Sequence, residues 1–305
     1  MDYLIVSTAV VDQISYPNKK DNILSIGGAG FYAYSGARIW NKSVNLVCGK
    51  GNDFEKVIKP YFTKDNISDE CMFKLDLPTP TTKVEYDESG ERIETPVYGA
   101  IHYQKFVADI ERIEQHCKNI KGLYIFKEAE DIEFWTKLFE LKKKYKFKIL
   151  WEISSDSTKE SNLSLIKTLS KEIDIFSINK TEATSLFNCK EMEVEEKFKQ
   201  FNFDLVFYRK GAKGATLISR EDKVFAPSVD RFTPIDPTGA GNSSSAAVLV
   251  GYCENKSLLE IGLMGSISAG FIISQNGAPL TQSNEISEKA IKYLQEELKE
   301  ENNVR

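Results

Sequence analysis

The sequence is poor in the residue types that build metal centres and disulfide frameworks. It contains two histidines, His102 and His116, and five cysteines, an odd number with no Cys-x-x-Cys pair. These counts exclude a multi-histidine metal centre and argue against a disulfide framework or a zinc ribbon, so we expect a cytoplasmic protein. No stretch approaches ~18 uninterrupted apolar residues, which excludes a membrane-spanning segment. The first residues lack the basic region and cleavage site of a secretory signal, so we expect none.

The overall charge gives the chain no general attraction to polyanions. The 40 Lys and Arg residues stand against 45 Asp and Glu, a formal net charge of −5 over 305 residues. We therefore expect no nucleic-acid partner, and any anionic ligand must be held by local groups. The most basic run, residues 142–148, is typical of a solvated helix end, whose cations complement the helix dipole.

Short apolar runs alternate with segments of helical periodicity, which predicts βαβ units. The predicted fold is α/β, a three-layer αβα sandwich around a largely parallel sheet. The predicted strands are Tyr3–Thr8, Val44–Cys48, Leu123–Phe126, Lys148–Ile153, Ile173–Ile178, Asp204–Tyr208 and Ala215–Ser219. The predicted helices include Asp131–Tyr145, Leu163–Ser170, Thr181–Phe187 and Glu191–Phe201.

Two stretches, at about 10–26 and 70–98, break this alternation with strand patterns and turn residues. Within the second, residues 81–94 predict a hairpin with its turn at Asp87-Glu88-Ser89-Gly90. We expect both stretches to form a small β lid on one domain that covers residues 1–305. Because exposed strand edges are usually covered, pairing of two lids in a homodimer is also expected.

The strongest motif is the run Asp236-Pro237-Thr238-Gly239-Ala240-Gly241-Asn242. Its small residues allow the backbone to approach a ligand closely, and a helix is predicted to begin at Asn242 or Ser243. Free N–H groups at a helix N-terminus bind anions and stabilise charge on a transferring phosphoryl group. The alternative is a tight turn that caps a buried helix.

This run resembles the Asp-Thr-x-Gly-Ala-Gly-Asp signature of the PfkB, or ribokinase-like, carbohydrate kinases. Further segments resemble the family's motifs in the same order along nearly the whole chain; they are Val10–Asp12, Gly27–Ala33, Gly49–Phe54, Asn179–Glu182 and Lys210–Gly214. The resemblance implies a ribokinase-like fold with a β lid. It also implies transfer of the ATP γ-phosphoryl group, with Mg²⁺, to a hydroxyl of a sugar or nucleoside-like small molecule.

On the phosphate-donor side, the resemblance implies an anion hole built by Gly239, Ala240 and Gly241. Asn179 and Glu182 would hold a hydrated Mg²⁺, although their spacing fits a helix N-cap with its capping acid equally well. The implied nucleotide-binding residues are Asn179, Lys210, Gly211, Gly214 and Asn276, and a K⁺ ion is implied near Asp236. Gly211 and Gly214 can also be explained as plain turn glycines.

On the acceptor side, the resemblance implies that Asp12 accepts hydrogen bonds from two substrate hydroxyls. Gly27, Gly28 and Tyr32 would border the same substrate. Asp12 as a simple strand-end residue, and close helix–sheet packing at the glycines, are the alternatives.

Two positions depart from the family pattern. Asn242 stands where the signature has its last Asp, the family's general base, and an amide oxygen accepts a hydrogen bond but takes no proton at neutral pH. Tyr32 stands where the family has an Asn that contacts the sugar. General-base assistance is typically worth about 10²–10⁴ in rate, although phosphoryl transfer depends heavily on positioning, which leaves room for residual activity.

Three explanations of Asn242 stay open at this point. Another base could act, from Glu152, Asp156 or Asp12; the protein could be a catalytically inactive pseudokinase that binds nucleotide or sugar; or the residue could be an engineered substitution. A vitamin-precursor kinase of the same superfamily is a further alternative, against which the predicted lid hairpin argues.

Overall fold

The structure is a computed structural model that describes residues 1–17, 23–88, 92–279, 281 and 284–304. Its strands are, in chain order, β1 Tyr3–Val6, β2 Val10–Ser15, β3 Ile23–Gly27, β4 Val44–Val47, β5 Gly49–Lys50, β6 Phe73–Lys74, β7 Thr81–Tyr86, β8 Arg92–Pro96, β9 Gly122–Lys127, β10 Lys148–Ile153, β11 Ile175–Asn179, β12 Leu205–Arg209, β13 Gly214–Ser219 and β14 Lys223–Pro227. Its helices are α1 Ala29–Trp40, α2 Phe54–Val57, α3 Lys59–Lys64, α4 Ala100–Gln104, α5 Ile110–Glu114, α6 Ile132–Tyr145, α7 Leu163–Leu169, α8 Lys180–Phe187, α9 Glu191–Lys197, α10 Ala240–Cys253, α11 Leu258–Ile273 and α12 Asn284–Val304.

Eight strands form the central sheet in the order β14-β13-β12-β11-β10-β9-β1-β4. The six strands from β12 to β4 are parallel, and β13 and β14 are added to one edge in antiparallel orientation. All seven predicted strands are present, with ends shifted by up to two residues, and β14 is an additional one. The prediction of a largely parallel sheet is confirmed.

Hydrophobic cores cover both faces of this sheet. In β1, Tyr3 and Ile5 face the core built with α1, α10, α11 and α12, whereas Leu4 and Val6 face the core built with α6 to α9. This alternation follows from the two-residue period of a strand, and it requires strands that are apolar on both faces. The predicted three-layer αβα arrangement is therefore confirmed. Within the described part of the chain, no helix has the length and apolar character needed to span a bilayer.

A second sheet, in the order β3-β2-β7-β8, stands apart from the central one and forms the lid. The predicted hairpin is formed by β7 and β8, which pair in antiparallel register from Thr82 with Pro96 to Tyr86 with Arg92. Ser89 and Gly90 of its predicted turn lie outside the described residues, as do residues 18–22 of the predicted lid. Residues 73–74 of the predicted lid stretch pair instead with β5. The assignment of residues 1–305 to a single domain stays a prediction.

Helix α10 begins earlier than predicted, at Ala240 rather than at Asn242 or Ser243. Its N-cap is Gly239, which has φ 80° and no capping side chain. A Cβ on Gly239 would clash with the ring of Tyr32 from α1. Glycine at this position therefore permits both the left-handed backbone and the close approach of α1.

Candidate active site at the mouth of helix α10

The N-terminal end of α10, residues Gly239–Asn242, is here called the α10 mouth. It lies at the carboxyl edge of the parallel strands, because a Cβ on Gly241 would clash with Nη1 of Arg209, the last residue of β12. The same position is 3.5 Å from Oε1 of Glu152, near the end of β10. In open α/β sheets, ligands bind in the crevice outside this edge.

Among the described residues, three backbone N–H groups at the α10 mouth have no acceptor, those of Gly239, Gly241 and Asn242. The N–H groups of Gly241 and Asn242 belong to the first turn of α10 and are here called the two open N–H groups. The N–H of Ala240 donates to the carbonyl oxygen of Pro237 at 3.3 Å. The preceding loop is held by Asp236, whose Oδ1 accepts from the backbone N–H of Thr238 at 2.9 Å and from its hydroxyl at 2.6 Å. Together with the helix dipole, the two open N–H groups form an anion site. Of the three residues in the predicted anion hole, Gly239 and Gly241 have N–H groups without an acceptor among the described residues, whereas the N–H of Ala240 is bound to Pro237. The N–H of Asn242 was not part of that prediction.

A chain of polar side chains connects the α10 mouth to the strand ends. Asn242 Nδ2 lies 3.3 Å from the hydroxyl of Tyr124 on β9, and that hydroxyl donates to Glu152 Oε2 at 2.8 Å. Glu152 Oε1 contacts Nη1 of Arg209 at 2.9 Å, and Nη2 of Arg209 lies 3.7 Å from Oε2 of Glu182. The side chains of Arg209 and Glu152 are 12% and 4% exposed, which makes this a buried ion pair. Burial, and next the charge of Glu152, hold the pKa of Tyr124 well above its usual value, so the phenol keeps its proton.

Asn179 and Glu182 form a complete capping box at the start of α8. Asn179 Oδ1 accepts from the N–H of Glu182 at 2.9 Å, and Glu182 Oε2 accepts from the N–H of Asn179 at 2.8 Å. Glu182 Oε1 also accepts from Ser155 at 3.1 Å. Among the described residues, no three His, Cys, Asp or Glu side chains are grouped to hold a metal. This donor set fits a hydrated Mg²⁺ ion that takes most of its ligands from water and phosphate.

The predicted acceptor-side residues meet around the ring of Tyr32. A Cβ on Gly27, at the end of β3, would clash with Asp12 Oδ2 and would lie 3.2 Å from Cε2 of Tyr32. The other side of the Tyr32 side chain packs on Gly239, and the residue is 3% exposed. The Tyr32 ring therefore contacts both Gly27, which borders Asp12, and Gly239 of the α10 mouth. Gly28 lies apart from this contact, with φ 86° and a position where a Cβ would clash with the backbone of Thr8.

The predicted nucleotide-side residues follow Arg209 in the turn between β12 and β13. Lys210 is bound by Glu195, with Nζ 2.6 Å from Oε1. Gly214 has φ 106° and packs on the carbonyl oxygen of Ala226, so its glycine is explained by the turn. Gly211, at φ 61°, has no heavy atom within 4 Å of a Cβ position, and its surface is open to a ligand.

Asn276 lies in the loop after α11 and contacts the lid. The hydroxyl of Tyr16 donates to Asn276 Oδ1 at 3.1 Å, and the Tyr16 ring stacks on Tyr86 at a centroid distance of 4.8 Å. Burial, together with the charges of Tyr86 and Asp236, raises the pKa of Tyr16. The lid therefore touches the loop that carries Asn276, one of the nucleotide-binding residues implied by the resemblance.

Sequence reasoning missed Arg209, Tyr124 and Tyr16. Arg209 offered a signal, since a charged residue ends an apolar strand immediately before the predicted glycine loop. Tyr124 offered none, because it lies within a buried strand like any core aromatic residue. Of the three candidate bases, Glu152 lies in the polar chain at the α10 mouth and Asp156 is exposed after β10. Asp12 borders Gly27 and Tyr32.

A cavity of about 790 Å³ lies elsewhere, at the opposite end of β12. It is lined by residues just before β12 and around the end of β13, including Asn202, Phe203 and Ser219. Because the α10 mouth meets β12 at Arg209, this cavity is not part of the candidate site.

The sequence profile of the pfkB family carbohydrate kinases matches residues 19–285. The chain belongs to this family. The fold agrees with this assignment, because the structure resembles ribokinase-family kinases over nearly its whole length. The predicted family and the predicted ribokinase-like fold are confirmed.

Individual relatives are distant but cover most of the chain. An uncharacterized protein of Schizosaccharomyces pombe is 24% identical, covering 93% of this chain and 87% of its own. A nucleoside kinase of Methanocaldococcus jannaschii is 24% identical, covering 88% of this chain and 86% of its own. The structure of M. jannaschii nucleoside kinase matches with TM-score 0.72 at 21% identity, over 97% of this chain and 99% of that one. The structure of Sinorhizobium meliloti adenosine kinase matches with TM-score 0.77 at 17% identity, over 95% and 98%. Homologues of this pfkB family member thus include sugar and nucleoside kinases.

Proposed function

We propose that this chain is an ATP-dependent phosphotransferase that moves the γ-phosphoryl group to a hydroxyl of a nucleoside or a sugar. The observation that carries the proposal is the α10 mouth, where the N–H groups of Gly241 and Asn242 have no acceptor among the described residues and a Cβ on Gly241 would clash with Nη1 of Arg209. Two open N–H groups, a helix dipole and a neighbouring cation therefore lie together at the carboxyl edge of the sheet. Such an arrangement stabilises negative charge on a phosphoryl group in transfer.

The residues divide into a donor side and an acceptor side. On the donor side, the N–H groups of Gly241 and Asn242 bind the phosphoryl oxygens, and Glu182 with Asn179 orients the waters of Mg²⁺. The metal, when bound with ATP, neutralises phosphate charge. On the acceptor side, Asp12 binds two hydroxyls of the substrate, and Asn242 Oδ1 accepts a hydrogen bond from the attacking hydroxyl.

The transfer itself needs little covalent help from the protein. The acceptor oxygen forms a bond to the γ-phosphorus, the bond from that phosphorus to the bridging oxygen breaks, and its electron pair leaves on ADP. The acceptor proton passes to an oxygen of the transferred phosphoryl group, since Asn242 takes no proton. Positioning of the two reactants is the main contribution of the site.

A nucleoside is the favoured acceptor within this proposal. The family relatives named above include nucleoside and adenosine kinases, and the site itself offers a carboxylate for two neighbouring hydroxyls. Tyr32, one of the two residues that depart from the family pattern, is 3% exposed and packs on Gly27 and Gly239, so it shapes the acceptor side from within the core.

A second candidate function is that of a pseudokinase that binds nucleotide or sugar without phosphoryl transfer. Two observations favour it. Asn242 removes the family's base, and Tyr32, at the position where the resemblance implies a sugar contact, is buried against Gly27 and Gly239. The two candidates differ in one respect, because only the kinase forms ADP in proportion to a phosphorylated acceptor.

The test is ADP formation with Mg-ATP and a panel of nucleosides and sugars, with the product identified by mass spectrometry. Replacement Gly241→Val places a branched side chain against Arg209 and over the open N–H groups, so turnover should fall by at least about 100-fold. The matched control is Gly251→Ala in the same helix, whose Cβ would lie 3.0 Å from the flexible Sδ of Met264. Full activity of Gly241→Val contradicts the assignment, and ATP binding without any ADP formation favours the pseudokinase.

The lid also supports a homodimer, which we include in the proposal. Ile93 on β8, the outer strand of the lid, is 70% exposed, and Val97, Tyr98 and Ile101 beyond it are exposed as well. An exposed apolar edge of this kind is a surface that proteins usually cover. K⁺ near Asp236 and a cytoplasmic location stay predictions from the sequence.

A further inference from the structure

The orientation of the Asn242 amide decides what this residue can offer a substrate. Its oxygen and nitrogen have nearly the same shape, so only the surrounding donors and acceptors determine which of them faces a given neighbour. The neighbour is the hydroxyl of Tyr124, 3.3 Å from Nδ2. The question is therefore whether that hydroxyl donates to Asn242 or accepts from it.

The direction of this hydrogen bond follows from Glu152, whose carboxylate can only accept hydrogen bonds. Its carboxylate is buried and lies 2.9 Å from the guanidinium of Arg209, which keeps it in the role of an anion. The Tyr124 hydroxyl lies 2.8 Å from the other carboxylate oxygen. A phenol has one proton, and the shorter contact, to a charged acceptor, takes it.

The oxygen of Tyr124 is then an acceptor toward Asn242. The NH₂ group of Asn242 must face Tyr124, and its carbonyl oxygen must face the opposite way. No described residue donates to that oxygen. It stands in the first turn of α10, next to the two open N–H groups.

We infer that Tyr124 is a positioning residue that holds the Asn242 amide with its carbonyl oxygen available to the phosphoryl-acceptor hydroxyl. This inference rests on the proposed function. The carbonyl oxygen aligns the attacking hydroxyl beside the anion site, and Glu152 with Arg209 fixes Tyr124 from behind. Released from Tyr124, the amide could turn and present N–H groups, which repel a hydroxyl hydrogen.

The experiment is a double-mutant cycle of Tyr124→Phe and Asn242→Asp, followed by thermal unfolding at pH 7. An aspartate at position 242 has no N–H that could donate to the Tyr124 oxygen. It also places a second carboxylate beside the Tyr124 hydroxyl, whose proton is already donated to Glu152. Asn242→Asp should therefore lower the melting temperature by about 2 °C more with Tyr124 present than in the Tyr124→Phe background. With the opposite amide orientation, Asp would strengthen the contact to Tyr124, and the coupling would change sign.

The second readout is kinetic. Tyr124→Phe should reduce kcat by at least about 10-fold and change the Kd of ATP by less than about 2-fold, because it acts on the acceptor hydroxyl alone. The control is Tyr3→Phe on the neighbouring β1, a buried tyrosine whose hydroxyl lies 3.4 Å from Glu254, at the other end of α10. It should leave kcat unchanged.

The two proposals fail in different ways. If the wild-type protein phosphorylates no acceptor, the proposed function is refuted, and the sign of the coupling still decides the orientation of Asn242. If the protein turns over but the coupling is absent or reversed, or Tyr124→Phe keeps the wild-type kcat, the inference about Tyr124 is refuted and the kinase assignment stands.

Discussion

The ion pair between Arg209 and Glu152 gives a quantitative test of the site. Replacement Arg209→Met leaves the carboxylate of Glu152, which is 4% exposed, with the Tyr124 hydroxyl as its remaining donor among the described residues. Removing one partner of a buried pair costs about 3–5 kcal/mol, because the other charge stays buried without compensation. Glu152→Gln should cost less, about 1–2 kcal/mol, since Gln still accepts from Tyr124 and the guanidinium keeps Glu182 at 3.7 Å.

Urea unfolding followed by tryptophan fluorescence measures these costs, because Trp151 of β10 and Trp135 of α6 are buried in the same core. With an m-value of about 3 kcal/mol per molar, Arg209→Met should lower the urea midpoint by about 1–1.7 M. The double variant should cost at least about 2 kcal/mol less than the sum of the single ones. The control is Arg231→Met, whose guanidinium pairs with three glutamates of α12 at a more exposed position and should cost about 1 kcal/mol or less. Two results would refute a buried, coupled ion pair next to the α10 mouth. One is that the costs of Arg209→Met and Glu152→Gln simply add in the double variant, and the other is that Arg209→Met and Arg231→Met cost the same.

Two further variants test the acceptor side and the glycine-loop side. Tyr32→Ala should lower the free energy of unfolding by about 3–4 kcal/mol, since it empties the space next to Gly27 and Gly239. The same space should lower the KM for bulky acceptors. Unchanged acceptor selectivity would contradict the position given to this ring. Burial alone would raise the pKa of Glu195, but hydrogen bonds from Lys210 and two other side chains outweigh it and lower the pKa to about 2. Because the pKa of Glu195 is lower in the folded protein, the stabilisation by its ionised carboxylate is complete above about pH 4.5 and is lost as the pH falls toward 2. The difference in melting temperature between wild type and Glu195→Gln should therefore shrink over that range. A difference that stays constant with pH would contradict the prediction.

The fold could be predicted because its strands carry a simple signal. A strand buried on both faces is a short, continuous apolar run, and Lys148–Ile153 was predicted at its exact bounds. Strand β14 was missed because it lies at an edge, where Lys223 and Phe225 are exposed and the apolar run is broken. The start of α10 was placed too late because the cap was sought among side chains. The structure caps it with glycine backbone, for which the local sequence has no side-chain signal.

The candidate site could be predicted only in part, for a different physical reason. Gly241 and Asn242 are contiguous in sequence, so a local motif reveals them. Tyr124, Glu152 and Arg209 come from three strands and meet only because β9, β10 and β12 end at the same edge of the sheet. Glu152 was named from the sequence as one of three candidate bases, but its contacts with Tyr124 and Arg209 are defined by topology and could be found only once the strand order was known.

The asparagine at position 242 is best understood together with this neighbourhood rather than as an isolated loss. The polar chain next to the α10 mouth already holds two carboxylates, Glu152 and Glu182, against one guanidinium, Arg209. An aspartate at 242 would add a third negative charge beside Tyr124, whose single proton is given to Glu152. A neutral amide fits the same place, because its NH₂ group donates to the Tyr124 oxygen and its carbonyl oxygen faces the opposite way. The polar chain from β9 to β12 and the residue at 242 therefore form one arrangement, in which an aspartate would be the residue out of place.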